Sequence, residues 1–323
     1  NLLGITATYI IEILDALTST LVATTTISNP TATPSYVFAG LTPGTTYNIR
    51  VTVVMNGATQ ICPSLTTFAT TSAVAACNSG LDVAFILDYT FSMNAVVEEL
   101  KAGISSIIST IIFEAGSNDY RLGLVLADEG TTSTPTYATS TDYVALPAPQ
   151  RVINTGASDY QFITAVEMFP TAAPFNNQAS FETQIAKINT GNTLPGDWPL
   201  GAGSSIPEPT DQALGLIVES QEFLGAFRSG VAKYVLIYTD ALPSGDDDAF
   251  TSTDVSRLHS LAITCATNGI KVFILGEGVN KTYTSASGSI TYPWRTLATA
   301  TSGTYTASYD TASVIAQITN ACS

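Results

Sequence analysis

The stretch that most constrains the fold is Val83 to Met93. Val83–Leu87 is an unbroken apolar run, and Asp88-Tyr89-Thr90-Phe91-Ser92-Met93 follows it. A strand with one wet face alternates apolar and polar residues. A short apolar run bounded by a polar turn instead predicts a parallel strand covered on both faces. An amphipathic helix pattern follows at once, from about Asn94 to Glu114, with Val97, Leu100, Ile104, Ile108 and Ile111 on one face. Open α/β sheets take ligands at the carboxyl ends of their strands. At that end this segment sets Asp88, Thr90 and Ser92 at alternating positions, with no Lys, Arg or His nearby. One carboxylate and two hydroxyls on one loop suit a hard divalent cation.

Charge and cysteine usage narrow the setting. Of 323 residues, 11 are Lys or Arg and 26 are Asp or Glu, so the formal net charge is −15. Nucleic-acid binding is not expected, because no basic patch could offset the phosphates; cations are attracted instead. Charged residues make up only 11% of the chain, and Thr, Ser, Ala and Gly take their place, as in a folded extracellular protein. No run approaches the ~18 apolar residues of a membrane span. The chain begins at Asn1 without a signal peptide, which is the expectation for a processed product or a fragment. Cys62, Cys77, Cys265 and Cys322 form no C-x-x-C pair, so a zinc site is not expected, and three disulfide pairings are open.

Residues 1–72 read as all-β. Strand candidates are Ala7–Leu14 and Ser35–Phe38, then the alternating Tyr47, Ile49, Val51 and Val53, an Asn56-Gly57 hairpin signal and a returning strand at Leu65–Ala69. Leu41-Thr42-Pro43-Gly44-Thr45-Thr46-Tyr47 through Val51 resembles the fibronectin type III signature L-x-P-x-T-x-Y-x-x-x-V. The resemblance implies a β-sandwich with Tyr47 as its corner tyrosine. It also implies two strands ahead of the Tyr9 region, for which this sequence has only a handful of residues. The domain is therefore expected to be incomplete at its N-terminus, a piece of a longer multidomain chain. Residues 73–79 read as a linker.

Beyond residue 80, strands and helices alternate, which predicts a doubly wound, mostly parallel sheet. Strands are expected at Tyr120–Ala127, Tyr160–Met168, Val231–Thr239 and Ile270–Leu275. Helices are expected at Ala179–Asn189, from Pro207 toward Phe227, from a cap at Asp254 to Gly269, and after a cap at Asp310. Residues 129–158, rich in Thr, Ser, Ala and Pro, read as a surface insertion.

The strand, the D-x-T-x-S loop of Asp88–Ser92 and the helix behind it together resemble the metal-ion-dependent adhesion site of von Willebrand factor type A domains, whose motif is D-x-S-x-S. Thr90 keeps the hydroxyl, and Phe91 puts a ring where bacterial relatives often have Gly. The resemblance implies a second carboxylate at Asp240, in Tyr238-Thr239-Asp240 at a strand end. It implies a third loop in Gly201–Leu214, which is similar to a bacterial G-G-D-x-P-E-x-x-x-x-A-L pattern. Matching Pro207-Glu208 and Ala213-Leu214 places Ser205 there, with Ser204, Glu208 and Thr210 left open. The implied ligands are Asp88, Thr90, Ser92, Ser205 and Asp240, holding Mg2+ (or Ca2+ or Mn2+), with Tyr89, Phe91 and Glu208 at the rim. A Cys77–Cys322 disulfide flanking this domain is implied in the same way. Simpler readings stay open: Asp88 as a helix cap, or a degenerate site without metal. Asp246-Asp247-Asp248 reads as a solvated acidic turn, His259 as a surface or boundary residue, and Asn280-Lys281-Thr282 as a single sequon match that chance supplies readily.

An enzyme is not expected. His259 is the only imidazole, and neither a G-x-S-x-G elbow nor a G-x-x-x-x-G-K loop is present. The resemblance implies an extracellular adhesion or ligand-binding protein, on a secreted, cell or virion surface. Its cation would take a carboxylate from a protein partner. The alternative is a structural subunit of a surface appendage or virion, in contact with copies of itself or neighbouring domains.

Overall fold

A computed structural model describes residues 7–15, 20–28, 46–55, 58–61, 66–69, 77, 80–116, 119–130, 145–146, 150–154, 160–173, 175–189, 198–199, 208–220, 222–243 and 249–322. The chain divides into two compact units, Asn1–Ala75 and Ala76–Ser323.

In the first unit β1 (Ala7–Asp15), β2 (Leu21–Ser28), β3 (Thr46–Met55), β4 (Ala58–Ile61) and β5 (Thr66–Ala69) form one antiparallel sheet. Its order is β2-β1-β3-β4, with β5 also on β3. Ile13, Leu14, Tyr47 and Val53 are its buried side chains among the described residues. Met55 pairs with Ala58, so Asn56 and Gly57 are the two residues between β3 and β4. The strand expected at Ser35–Phe38 and the signature's Leu41–Gly44 lie outside the described residues. β2 was not anticipated: its side chains are half-buried or exposed throughout, so the sequence carries no strong alternation there. Across the sheet, Arg50 makes a bidentate pair with Glu12 at 2.7 and 2.8 Å.

The second unit begins with β6 (Leu81–Asp88), a 3-10 turn over Phe91–Met93 and α1 (Asn94–Glu114). There follow β7 (Tyr120–Gly130), β8 (Arg151–Asn154), β9 (Tyr160–Glu167), α2 (Gln178–Lys187), the short pair β10 (Ile188–Asn189) and β11 (Trp198–Pro199), α3 (Thr210–Glu219) and β12 (Ala232–Tyr238). The chain closes with α4 (Ser252–Thr267), β13 (Ile270–Leu275), the hairpin β14 (Tyr283–Thr284) and β15 (Ile290–Thr291), α5 (Pro293–Ala300), β16 (Tyr305–Thr306) and α6 (Thr311–Cys322).

One seven-stranded sheet, ordered β16-β13-β12-β6-β7-β9-β8, is the frame. Its strands are parallel from β16 to β7; β9 runs antiparallel to β7, and the edge strand β8 is antiparallel to β9. Every residue of β6 is buried. Side chains alternate between faces along a strand, and the core divides accordingly. Leu81, Val83, Phe85 and Leu87 pack with α1, α2 and α6, whereas Ala84 and Ile86 pack with α3, α4 and α5. The expected doubly wound α/β layer is thus present, with helices on both faces. Gly103 lets α1 and α6 approach, since a methyl group there would overlap Thr311.

Cys77 and Cys322 are joined in a disulfide with Cα atoms 5.4 Å apart, closing a span of 245 residues. On the chain-entropy model such a loop contributes roughly 5 kcal/mol. The Tyr234 hydroxyl donates toward both sulfurs, at 3.0 and 3.3 Å. Cys265 is a buried free thiol, and Cys62 lies outside the described residues.

Four expectations need correction. The 129–158 insertion contains the end of β7 and all of β8, because its β-branched Val152 and Ile153 continue the sheet past β9. The helix begun near Pro207 is α3 alone and stops at Glu219. Phe223 and Leu224 leave the helix to fill the core, Leu224 lying against Gly123. Thr251, not Asp254, caps α4: Asp254 is the third residue of a capping box and accepts from the Thr251 amide at 2.6 Å. Helix α5 was not anticipated, since eight residues give little periodicity to read.

Candidate metal centre

β6 is the topological switch of the sheet. The helix leaving it, α1, lies on one face; the helix leaving its neighbour β12, α4, lies on the other. Connections that part in this way leave a crevice beyond the carboxyl ends of the two strands. Asp88 ends β6, and Asp240 follows β12 by two residues.

The backbone sets the donors around that crevice. The Tyr89 amide extends the ladder by bonding the Ala127 carbonyl at 2.7 Å. Thr90 is extended, at φ −80° and ψ 161°, and its carbonyl accepts from the Met93 amide at 3.1 Å, closing the 3-10 turn. Tyr89 and Met93 are buried, so the loop is anchored on both sides of its hydroxyls.

A hydrogen-bonded arc results. The Thr90 hydroxyl donates to Asp88 Oδ1 at 2.7 Å and lies 3.0 Å from the Ser92 hydroxyl, which donates to Asp240 Oδ1 at 3.4 Å. On the far side, the Thr239 hydroxyl donates to Asp88 Oδ2 at 2.9 Å and accepts from the Ala241 amide at 3.1 Å. Asp88, Thr90, Ser92 and Asp240 are therefore brought together as expected. Thr239 was missed; a hydroxyl just before the strand-end Asp240 was the only signal for it.

The Asp240 turn is clamped. The Thr239 carbonyl accepts from the Gly278 amide at 3.0 Å, the Ala241 carbonyl from buried Trp294 Nε1 at 2.8 Å, and the Leu242 carbonyl from the Glu208 amide at 2.8 Å. Gly276 permits the closest approach. Its φ is +110°, and a methyl group there would stand 2.6 Å from the Thr239 carbonyl oxygen.

Electrostatically the crevice is acidic. Burial pushes the Asp88 carboxyl up to about 7; the hydrogen bonds from Thr90 and Thr239 oppose this, and the charge of Asp240 adds to it. Among the described residues, no Lys, Arg or His forms an ion pair with Asp88 or Asp240. Nor do the described residues hold a group of three or more His, Cys, Asp or Glu that could bind a metal ion; the other oxygens of the arc belong to hydroxyls.

Two expected rim residues are placed differently. Tyr89 has no exposure, and its hydroxyl donates to the Trp198 carbonyl, so it is a core residue. Glu208 is 3% exposed and tied by its backbone to the Asp240 turn, so it is no contact surface. Phe91, 64% exposed between the two hydroxyl residues, does stand at the rim. Ser205 and Ser204 lie outside the described residues. The described part of the third loop, Glu208 to Thr210, abuts the Asp240 turn, and the buried Thr210 hydroxyl has no hydrogen-bond partner among the described residues.

No family model matches the chain, and no curated protein does. Solved structures similar to it include the pilus adhesin SpaC from Lactobacillus rhamnosus GG, at 13% identity and a TM-score of 0.41, over 87% of this chain and 32% of that one. Proximal thread matrix protein 1 from the mussel byssus matches at 11% identity and a TM-score of 0.41, over 75% of this chain and 47% of that one. The same mussel protein with a zinc-occupied MIDAS motif matches at 13% identity and a TM-score of 0.38, over 77% of this chain and 47% of that one. The chain thus spans between a third and a half of those proteins. Likenesses this distant assign no function, which has to come from the side chains around Asp88.

Proposed function

We propose that this chain is an extracellular binding protein whose second unit, a module of the von Willebrand type A kind, recognises a protein partner through a divalent cation held at the β6–β12 switch point. The observation that carries this reading is the arc Asp88–Thr90–Ser92–Asp240. It joins two carboxylates by two hydroxyls at the crevice beyond the strand ends, with no cationic side chain paired to either acid among the described residues. A buried carboxylate beside a second one is costly unless a positive charge joins them.

The donor set fits a hard cation. All the oxygens are carboxylate or hydroxyl, as Mg2+, Ca2+ or Mn2+ prefer. Asp88, Thr90, Ser92 and Asp240 would hold it, with Thr239 fixing the Asp88 carboxylate and Thr210 or the neighbouring third-loop residues adding a donor. Mg2+ keeps several exchangeable waters, and a partner's carboxylate can replace one. The cation supplies charge and direction, and exposed Phe91 supplies contact area. A disulfide suits an oxidising compartment, and no described helix is long and apolar enough to cross a membrane.

Calorimetric titration with Mg2+ tests the site. One binding event is expected for the wild type and none for Asp240→Asn, with the variant no less stable than the wild type in the metal-free state. Equal Mg2+ uptake by both proteins would refute the assignment.

A further inference from the structure

Arg295, half-buried on α5, is held without a direct ion pair among the described residues; Glu277 enters its network through Asn280, whose Nδ2 donates to Glu277 Oε2 at 2.8 Å. Its Nε donates to the Val279 carbonyl at 2.7 Å and its Nη2 to Asn280 Oδ1 at 2.7 Å. The guanidinium carbon lies 4.2 Å from the centre of the Tyr292 ring and 5.3 Å from that of Tyr305. Two neutral hydrogen bonds and two aromatic rings hold the fork, and no carboxylate lies within ion-pairing distance of it among the described residues. In a chain of net charge −15 this is unusual. Arg50, Arg121, Arg228 and Arg257 all form ion pairs with Asp or Glu.

The place is also informative. Trp294, next to Arg295, bonds the residue after Asp240, and the turn that receives Arg295 at Val279 bonds the Thr239 carbonyl through Gly278. Arg295 is thus built on the two segments that brace the Asp240 turn, at the same carboxyl edge of the sheet. Around it Tyr292 is 39% exposed and Tyr305 41%. Exposed Tyr with a fixed Arg is the composition of an interface anchor. A guanidinium held as a rigid fork, with one edge uncommitted, is suited to a carboxylate.

We infer that Arg295, between Tyr292 and Tyr305, is a second carboxylate-binding point beside the cation site, so that the partner is an acidic protein segment engaging the cation with one carboxylate and Arg295 with another. This rests on the cation reading for the first carboxylate and on Arg295's own surroundings for the second. Charge complementarity selects the occupant. An apolar partner would strand the guanidinium, and a basic one would face both it and the cation.

The probe is fluorescein-labelled poly-L-glutamate, with polyglutamine as the uncharged control, added to the full chain at saturating Mg2+. Wild type is expected to bind polyglutamate and not polyglutamine. Arg295→Met is expected to weaken polyglutamate binding by the folded protein by about tenfold, with Arg295→Lys in between, while Mg2+ affinity falls far less. Unchanged polyglutamate affinity in Arg295→Met would overturn the inference. So would a lowered melting temperature with unchanged affinity of the folded protein, which would make Arg295 only a pin for the turn. The cation reading fails separately: chelator and Asp240→Asn would then leave wild-type binding intact while Arg295→Met still reduced it.

Discussion

Asp82 and Asp88 share one strand, lie six residues apart and have no solvent exposure, yet the fold treats them oppositely. Asp82, at the amino end of β6, meets two guanidiniums. Arg121 Nε donates to it at 2.9 Å, and the Arg228 amide and Nε donate at 2.8 and 2.9 Å. Phe169 and Phe175 cover those guanidiniums at 4.6 Å each, and Arg228 also pairs with Asp119. Asp88, at the carboxyl end, meets hydroxyls, an amide and the charge of Asp240 among the described residues. One buried carboxylate is neutralised by guanidiniums; the other has no cationic partner among the described residues. A structural charge carries its counter-charge within the fold, and a binding charge takes it from outside.

The sharpest way to break this contrast is to delete each acid in turn. Asp82→Ala strands buried Arg121 and partly buried Arg228, and a loss of about 3–5 kcal/mol is expected in denaturant unfolding. Asp88→Asn removes a charge that hydrogen bonds from Thr90 and Thr239 offset only in part and that no cationic side chain among the described residues pairs with. The metal-free protein at pH 8 is expected to gain about 1–3 kcal/mol while losing Mg2+ binding. If both substitutions destabilise the metal-free protein equally, the two aspartates do not differ as described.

A pH series sharpens it further. The Asp88 carboxyl titrates near 7 when folded and near 3.8 when unfolded, so between these values the folded chain holds a proton that the unfolded chain has released. Its contribution to stability is fully present below about pH 4 and lost as pH rises to about 7. In chelator, the unfolding midpoint of the wild type should therefore fall across that window relative to Asp88→Asn. Saturating Mg2+ should reverse the trend, because the cation competes with the proton. Parallel wild-type and Asp88→Asn profiles in chelator would contradict the description of Asp88.

The smallest expected effect concerns the brace rather than the charges. Trp294→Phe keeps most of the buried ring but deletes the hydrogen bond to the Ala241 carbonyl. It should cost about 1 kcal/mol and weaken Mg2+ binding by a few-fold as the Asp240 turn loosens. A full loss of stability with unchanged Mg2+ affinity would place Trp294 in the core alone.

What the sequence made legible follows from distance along the chain. Asp88, Thr90 and Ser92 lie within five residues of a continuous apolar run, so strand-end logic reached them; Asp240 came from the family resemblance, which its place just beyond another such run fits. Tyr89 and Glu208 were misplaced because their spacing locates them beside the site but says nothing of which way the side chain turns. Tyr89 turns under Trp198, and the Glu208 backbone locks onto Leu242. Thr239 needed the register that sets it opposite Asp88, which only the β12–β6 pairing supplies. Tyr292 and Arg295 stand at the start of α5, a helix too short to read from periodicity, and Tyr305 comes from β16, so the three meet only in the folded chain.

The central claim is that a divalent cation supplies the charge missing at Asp88 and Asp240. Anomalous scattering from crystals soaked in Mn2+ tests it most directly. The account predicts one strong peak at the β6–β12 switch point, within bonding distance of Ser92 Oγ and Asp240. A crystal with Mn2+ bound elsewhere, or nowhere, and the Asp88–Thr90–Ser92–Asp240 arc unchanged at saturating metal, would contradict it.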